Sequence, residues 1–176
     1  MTLPGRKSGA GLRASLPFRS VNRRGFPGHD PFLQRHHILP RQLLNADCFG
    51  SMFAVLGRER IGFDDFRING LLLPSSEPAA KRTLLPLHRG PHRDYNAMVI
   101  DRVGSVEAQW SKARLADADI AASEALLRLG LLQKALRRRL LDEGRPIRLN
   151  RRDPVGADLD FSDLDAMAEI LWRSAA

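Results

Sequence analysis

From Tyr95 onward, apolar side chains recur at helical spacing through Val99, Val103, Val106 and Trp110, the stripe of an amphipathic helix. Pro91 suits its first turn, since a missing N–H costs nothing there. A second stripe, Leu129, Leu132, Leu136 and Leu140, predicts a helix from about Asp117 to Asp142, with Arg137, Arg138 and Arg139 in a last turn where cations favour the helix dipole. Gly144 and Pro146 end it, and Ser162 with Asp165 would cap a last helix ending near Trp172. Upstream, Phe32 to Leu39 reads as a short strand stopped by Pro40, which cannot donate a ladder hydrogen bond. Residues 41 to 60 read as two short helices, interrupted by Gly50 and closed by Gly57. Asn69-Gly70, between Ile68 and Leu71, signals a tight turn or the start of a strand, because both residues tolerate positive φ, and Leu71 to Leu73 is the second strand. The expected fold class is α+β, mainly helical, with a short antiparallel hairpin and a C-terminal helical extension.

Charge divides the 176 residues into three stretches. Residues 1–30 hold +5 of the net +8 and are rich in Gly, Pro and Ser, so they read as a flexible basic arm. Residues 31–110 have the mixed apolar pattern of a compact core and contain four of the five histidines. Residues 111–176 carry twelve basic and eleven acidic side chains and no His or Cys, the composition of a structural helical extension packed on the core or on a partner. The excess of cations suits a polyanion, although only four of the 28 basic residues are Lys, so the Arg bias also fits a genome effect. A single cysteine, Cys48, excludes an internal disulfide and a Cys-based zinc site, and reads as a small buried hydrophobe. No apolar run reaches the ~18 residues of a membrane span or forms a signal peptide, so the expectation is a cytoplasmic protein, with export by another route left open.

Chemistry enters with two histidine pairs, His36-His37 and His88-x3-His92, on either side of Asn69. Imidazole is both a neutral metal ligand and a base near neutral pH. Phosphodiester hydrolysis needs both, a cation to screen the phosphate and a base to deprotonate water. Neighbouring strand residues point to opposite faces, so His36 and His37 converge only if the strand end twists or breaks. Gly90 and Pro91 argue against one helix across His88 and His92, which places His88 in the entering turn and His92 in the first turn.

Arg35-His36-His37-Ile38-Leu39-Pro40, Asn69-Gly70-Leu71-Leu72-Leu73-Pro74 and Leu87-His88-Arg89-Gly90-Pro91-His92-Arg93-Asp94-Tyr95-Asn96, in that order, resemble the AHH family of the HNH/endonuclease VII superfamily. Arg35 stands where the family's motif has Ala. The resemblance implies a ββα-metal nuclease core with one divalent ion (zinc, nickel, magnesium or manganese) held by His36, His88 and His92. It implies His37 as general base and Asn69 as the residue that fixes the loop and orients that base. Products would carry 5′-phosphate and 3′-hydroxyl ends. DNA is the favoured substrate over RNA, a toxin or mobile-element role is suggested, and an immunity protein and a homodimer are partners left open.

Arg35, Arg89 and Arg93 flank the histidines and could hold phosphates, for which the planar guanidinium is suited, or be solvated surface charges. Asp94, Asn96 and backbone carbonyls are candidates to orient the imidazoles. The competing reading is a non-catalytic nucleic-acid-binding protein with a structural zinc. His37 discriminates: a closed four-ligand site would consume it, whereas a nuclease leaves it unligated.

Overall fold

The computed structural model describes residues 14–149 together with Asp153, Pro154, Gly156 and Ala166. The helix expected after Ser162 and the first thirteen residues of the basic arm lie outside the described residues.

Strands β1 (Leu33–His37) and β2 (Gly70–Pro74) pair antiparallel, with His36 opposite Leu71 and His37 opposite Gly70. β1 ends two residues before the expected Leu39 because Asn69 captures the chain there. The Ile38 N–H donates to the Asn69 carbonyl at 2.8 Å and the Leu39 N–H to Asn69 Oδ1 at 2.7 Å. Between the strands run two 3₁₀ turns, Arg41–Asn45 and Asp47–Phe49, then helices α1 (Gly50–Leu56), α2 (Arg58–Ile61) and α3 (Phe66–Asn69). Gly50 therefore starts a helix rather than interrupting one, while Gly57, at φ +77°, closes α1 as its sequence suggests. Cys48 is exposed, against the expectation of burial.

Gly70 starts β2, as Asn-Gly signals, but not through a positive φ. Its φ is −119°, ordinary extended backbone. Glycine is needed there because a Cβ would collide with the Phe66 ring. That ring meets Phe18 edge-on at 5.1 Å, and Phe18 in turn lies flat on His37, Gly70's partner across the sheet.

After β2 comes α4 (Glu77–Thr83), which the apolar pattern does not reveal because only Ala79 and Ala80 are buried in it. Helices α5 (Arg93–Ala113) and α6 (Ala118–Leu140) then pack on each other and on α1, with α6 also reaching α2 and α3. The expected stripe of α5 is buried from Tyr95 to Trp110. Asp117 caps α6 by accepting from the Asp119 and Ile120 N–H groups. Leu129, Leu136 and Leu140 lie in one core with Leu43, Met52, Leu56 and Val99. Each such side chain contributes roughly 1.5–3 kcal/mol on burial, so packing rather than helix propensity holds α6 in place. Leu132, the remaining member of the expected stripe, is partly buried against that core.

Residues 14–30, in the span expected as a flexible arm, are bonded to the core. Leu16 N–H donates to Asp65 Oδ1 at 3.2 Å, Phe66 N–H to the Leu16 carbonyl at 2.8 Å, and Pro17 bridges Asp65. Composition hides these bonds because backbone groups make them. Among the described residues no helix is long and apolar enough to cross a membrane.

Candidate active site

Three of the four histidines of the two pairs come together, each through a different local device. His36 points inward from β1, is 3% exposed, and lies against Tyr95 with ring centroids 5.2 Å apart. Tyr95 is itself fixed by donating its hydroxyl to the Ile38 carbonyl at 2.8 Å. His88 sits in the extended lead-in to α5, where its N–H donates to the Pro74 carbonyl at the end of β2 at 2.7 Å. His92 is the N-cap of α5 rather than a residue of its first turn, with Gly90 at φ +79° making the approach.

His36, His88 and His92 each offer a nitrogen, and these atoms lie within 4.8 Å of one another. The ring orientations are set from outside the cluster. His88 Nδ1 donates to Gln34 Oε1 at 3.1 Å and His92 Nδ1 to the Leu149 carbonyl at 3.2 Å, which leaves both Nε2 atoms free for an ion. His36 Nε2 is buried without a hydrogen-bond partner. A buried polar nitrogen left unpaired costs about 1–3 kcal/mol, and a cation at the focus of three imidazoles would satisfy it. The donor set therefore fits a divalent metal. Of the candidates it is a backbone carbonyl, that of Leu149, that orients His92, while Gln34 orients His88 and Asn96 bonds Gln42 at 3.3 Å.

His37 does not join the triad. His37 is the last residue of β1, and Phe18 stacks on its ring at 3.8 Å and 2° between planes. It remains close enough for its charge to act on His36 and His88.

Burial holds all four imidazoles below their ordinary pKa. His37 is pushed down to about 4, first by burial and then by Arg41, with Asp64 opposing and Arg35 adding to it. His88 is also pushed down to about 4, by burial and then by His92 and His37. His36 falls well below its usual range by burial and then by the other three rings, while His92 is lowered by burial and partly restored by its bond to Leu149. At neutral pH the four are thus unprotonated, the form that binds metal and accepts a proton. The unfolded chain titrates these groups near ~6.5, so between about 4 and ~6.5 it binds more protons than the folded protein. Their contribution to stability is accordingly complete above ~6.5 and is lost as pH falls toward 4. Thermal unfolding of metal-free protein should show a midpoint several degrees lower at pH 5 than at pH 7. A midpoint that does not move would mean that the rings are solvated in the folded state.

Asn69 is wholly buried and hydrogen-bonded in every direction. Oδ1 accepts from Leu39 N–H and, at 3.4 Å, from Gln133 Nε2, while Nδ2 donates to the Leu39 and Phe63 carbonyls at 3.2 and 3.0 Å. One helical turn beyond Gln133, Arg137 spreads over the end of α3, donating to the Arg67 and Gly70 carbonyls at 2.7 and 2.8 Å. Arg137 lies in the last turn of α6, as expected, and in addition braces the strand entry. Sequence reasoning missed Gln133, Arg137 and Phe18, whose partners are distant in the chain. Gln34 was accessible from alternation, two positions before His36 on the same face. A further brace comes from Asp153, whose carboxylate accepts from the Leu87 N–H at 2.8 Å. Arg35, Arg89 and Arg93 are exposed.

A two-stranded hairpin and a following helix bring three imidazoles together, with a fourth stacked on Phe18 beside them, an arrangement consistent with an HNH/ββα-metal core whose triad could hold an ion. Residues 17–136 match AHH, a nuclease family of the HNH/ENDO VII superfamily with conserved AHH, and the chain belongs to that family. Among curated proteins and solved structures, none matches the chain.

Proposed function

We propose that this nuclease is a metal-dependent endonuclease that hydrolyses DNA, with His36, His88 and His92 as metal ligands, His37 as general base and Asn69 as the residue that positions it. The observation that carries the reading is the open triad: His36, His88 and His92 each bring a nitrogen within 4.8 Å of the others, His36 Nε2 is unpaired, and the neutral His37 is left out of the set. A structural zinc would need a fourth protein ligand, and the described residues supply none there.

The ion, when bound, supplies Lewis-acid screening of the phosphate and stabilisation of the leaving oxygen. Imidazole ligands suit zinc and nickel better than magnesium. His37 accepts a proton from a water aligned for in-line attack on phosphorus, the bond from phosphorus to the 3′ oxygen breaks, and 5′-phosphate and 3′-hydroxyl ends result. The nearby phosphate raises the pKa of His37 from its metal-free, substrate-free position, so that it gains the proton more readily with substrate bound. Phe18 keeps the ring in one plane while this happens. Because water rather than a 2′-hydroxyl is the nucleophile, DNA is a sufficient substrate.

Supercoiled plasmid tests this. Purified protein should nick it, EDTA should stop the reaction, and zinc, nickel, manganese or magnesium added back singly should restore it to different extents. Absence of cleavage of DNA and RNA under every metal would overturn the reading.

A further inference from the structure

Beside the histidines lies a surface pocket of about 590 Å³ that hydrolysis as described leaves unused. Arg19, Arg23 and Arg24, with His29 and with Gln34 and Arg35 of β1, form its wall, and no carboxylate lines it. None of these arginines is in an ion pair among the described residues. A concavity walled by charge of one sign focuses its field on an incoming counter-ion, and the planar fork of Arg matches phosphate.

The pocket is a built structure. Asn22, at φ +47°, closes the loop beneath it: Nδ2 donates to the Asp30 and Leu33 carbonyls at 2.8 Å, and Oδ1 accepts from Asp30 N–H at 2.7 Å. Arg23 lies over the Phe26 ring at 4.3 Å, and Arg35 donates to the Phe18 carbonyl at 2.9 Å. Part of the entropy of ordering these long side chains is therefore spent before any ligand arrives. Two contacts join the pocket to the chemistry. Gln34 orients His88, and Phe18, next to Arg19 in the chain, lies flat on His37.

We propose that this pocket binds the phosphodiester backbone of duplex DNA next to the scissile phosphate, so that residues 19–35 are the substrate-holding wall of the site. The identity of the anion rests on the nuclease reading, whereas the binding itself can be measured without cleavage. The full chain in EDTA is titrated into a labelled duplex of about 20 base pairs over a range of salt, and log affinity is plotted against log salt. Each phosphate contact on B-DNA contributes about −0.9 to that slope. The combined Arg19→Gln, Arg23→Gln, Arg24→Gln variant should flatten the slope by about 2 to 3 and weaken binding by about tenfold or more at moderate salt. Removing three charges at exposed positions outside the pocket (Arg60→Gln, Arg82→Gln, Lys112→Gln) should leave the slope unchanged. Arg24→Gln alone, at an exposed loop position, should lower it by about 0.9 and keeps the test valid if the triple variant does not fold. With metal restored, the triple variant should raise KM and leave kcat at saturating DNA within about threefold, as loss of uniform binding requires. An unchanged slope in the triple variant, or an equal loss in the control, overturns the proposal. Wild-type protein that binds with a steep slope lost in the triple variant but never cuts would overturn the nuclease reading and support the pocket.

Discussion

His37→Ala should reduce kcat for plasmid nicking by about 10²–10⁴-fold, the contribution of a positioned general base, while metal affinity stays within about twofold of wild type. The separation of the two effects follows from the geometry. The His37 ring stacks on Phe18 outside the triad, so its removal takes no nitrogen from the ion. Its neighbours on the metal side, His36 and His88, are held by Tyr95 and Gln34 and keep their orientation. Cobalt substitution gives the measurement, since the visible absorption of the bound ion reports ligand number without any turnover. Loss of the cobalt spectrum together with activity would make His37 a fourth ligand and return the structural-zinc reading. Full cleavage by the variant would place the base elsewhere.

The largest stability effect is expected at Asn69. Asn69→Asp keeps an acceptor for Leu39 N–H but removes both Nδ2 donors, and it sets a carboxylate oxygen against the Leu39 and Phe63 carbonyls in a wholly buried place. An uncompensated buried charge of this kind costs about 3–5 kcal/mol. Urea unfolding of metal-free protein at pH 7 should show that loss as a lower midpoint at unchanged slope. Asn69→Ala should cost somewhat less, since it strands Leu39 N–H and two carbonyls without adding charge. A change below about 1 kcal/mol in both would mean that Asn69 does not hold the strand exit. The placement of His37 is coupled to this brace, because the bonds from Ile38 and Leu39 to Asn69 fix the backbone immediately after it.

The readable parts of this molecule are those where a local pattern has a local cause. Tyr95, Val99, Val103, Val106 and Trp110 face the core because helical period alone decides it, and the two histidine pairs with Asn69 mark the site because few other reasons bring such residues so close in the chain. The unread parts depend on distant partners. Gly70 is glycine because of Phe66 and not because of its own φ. The orientation of His92 comes from a carbonyl far along the chain, and no property of Leu149 advertises it. Residues 14–30 look loose by composition, yet backbone groups pin them to α3 and Asn22 ties a loop beneath the basic pocket. α4 stayed hidden because two buried alanines make no period.

The bond from His92 to Leu149 also bears on the order in which the enzyme becomes dangerous. Cells that make a nuclease are exposed to it from the moment its site is complete. Of the three proposed ligands His36 leaves the ribosome first, and the carbonyl that orients His92 comes only with residue 149, after α6. A nascent chain stopped short of that residue carries all three proposed ligands but lacks the carbonyl that aligns one of them. On the proposed reading, the alignment of the site therefore waits until residue 149 has been made.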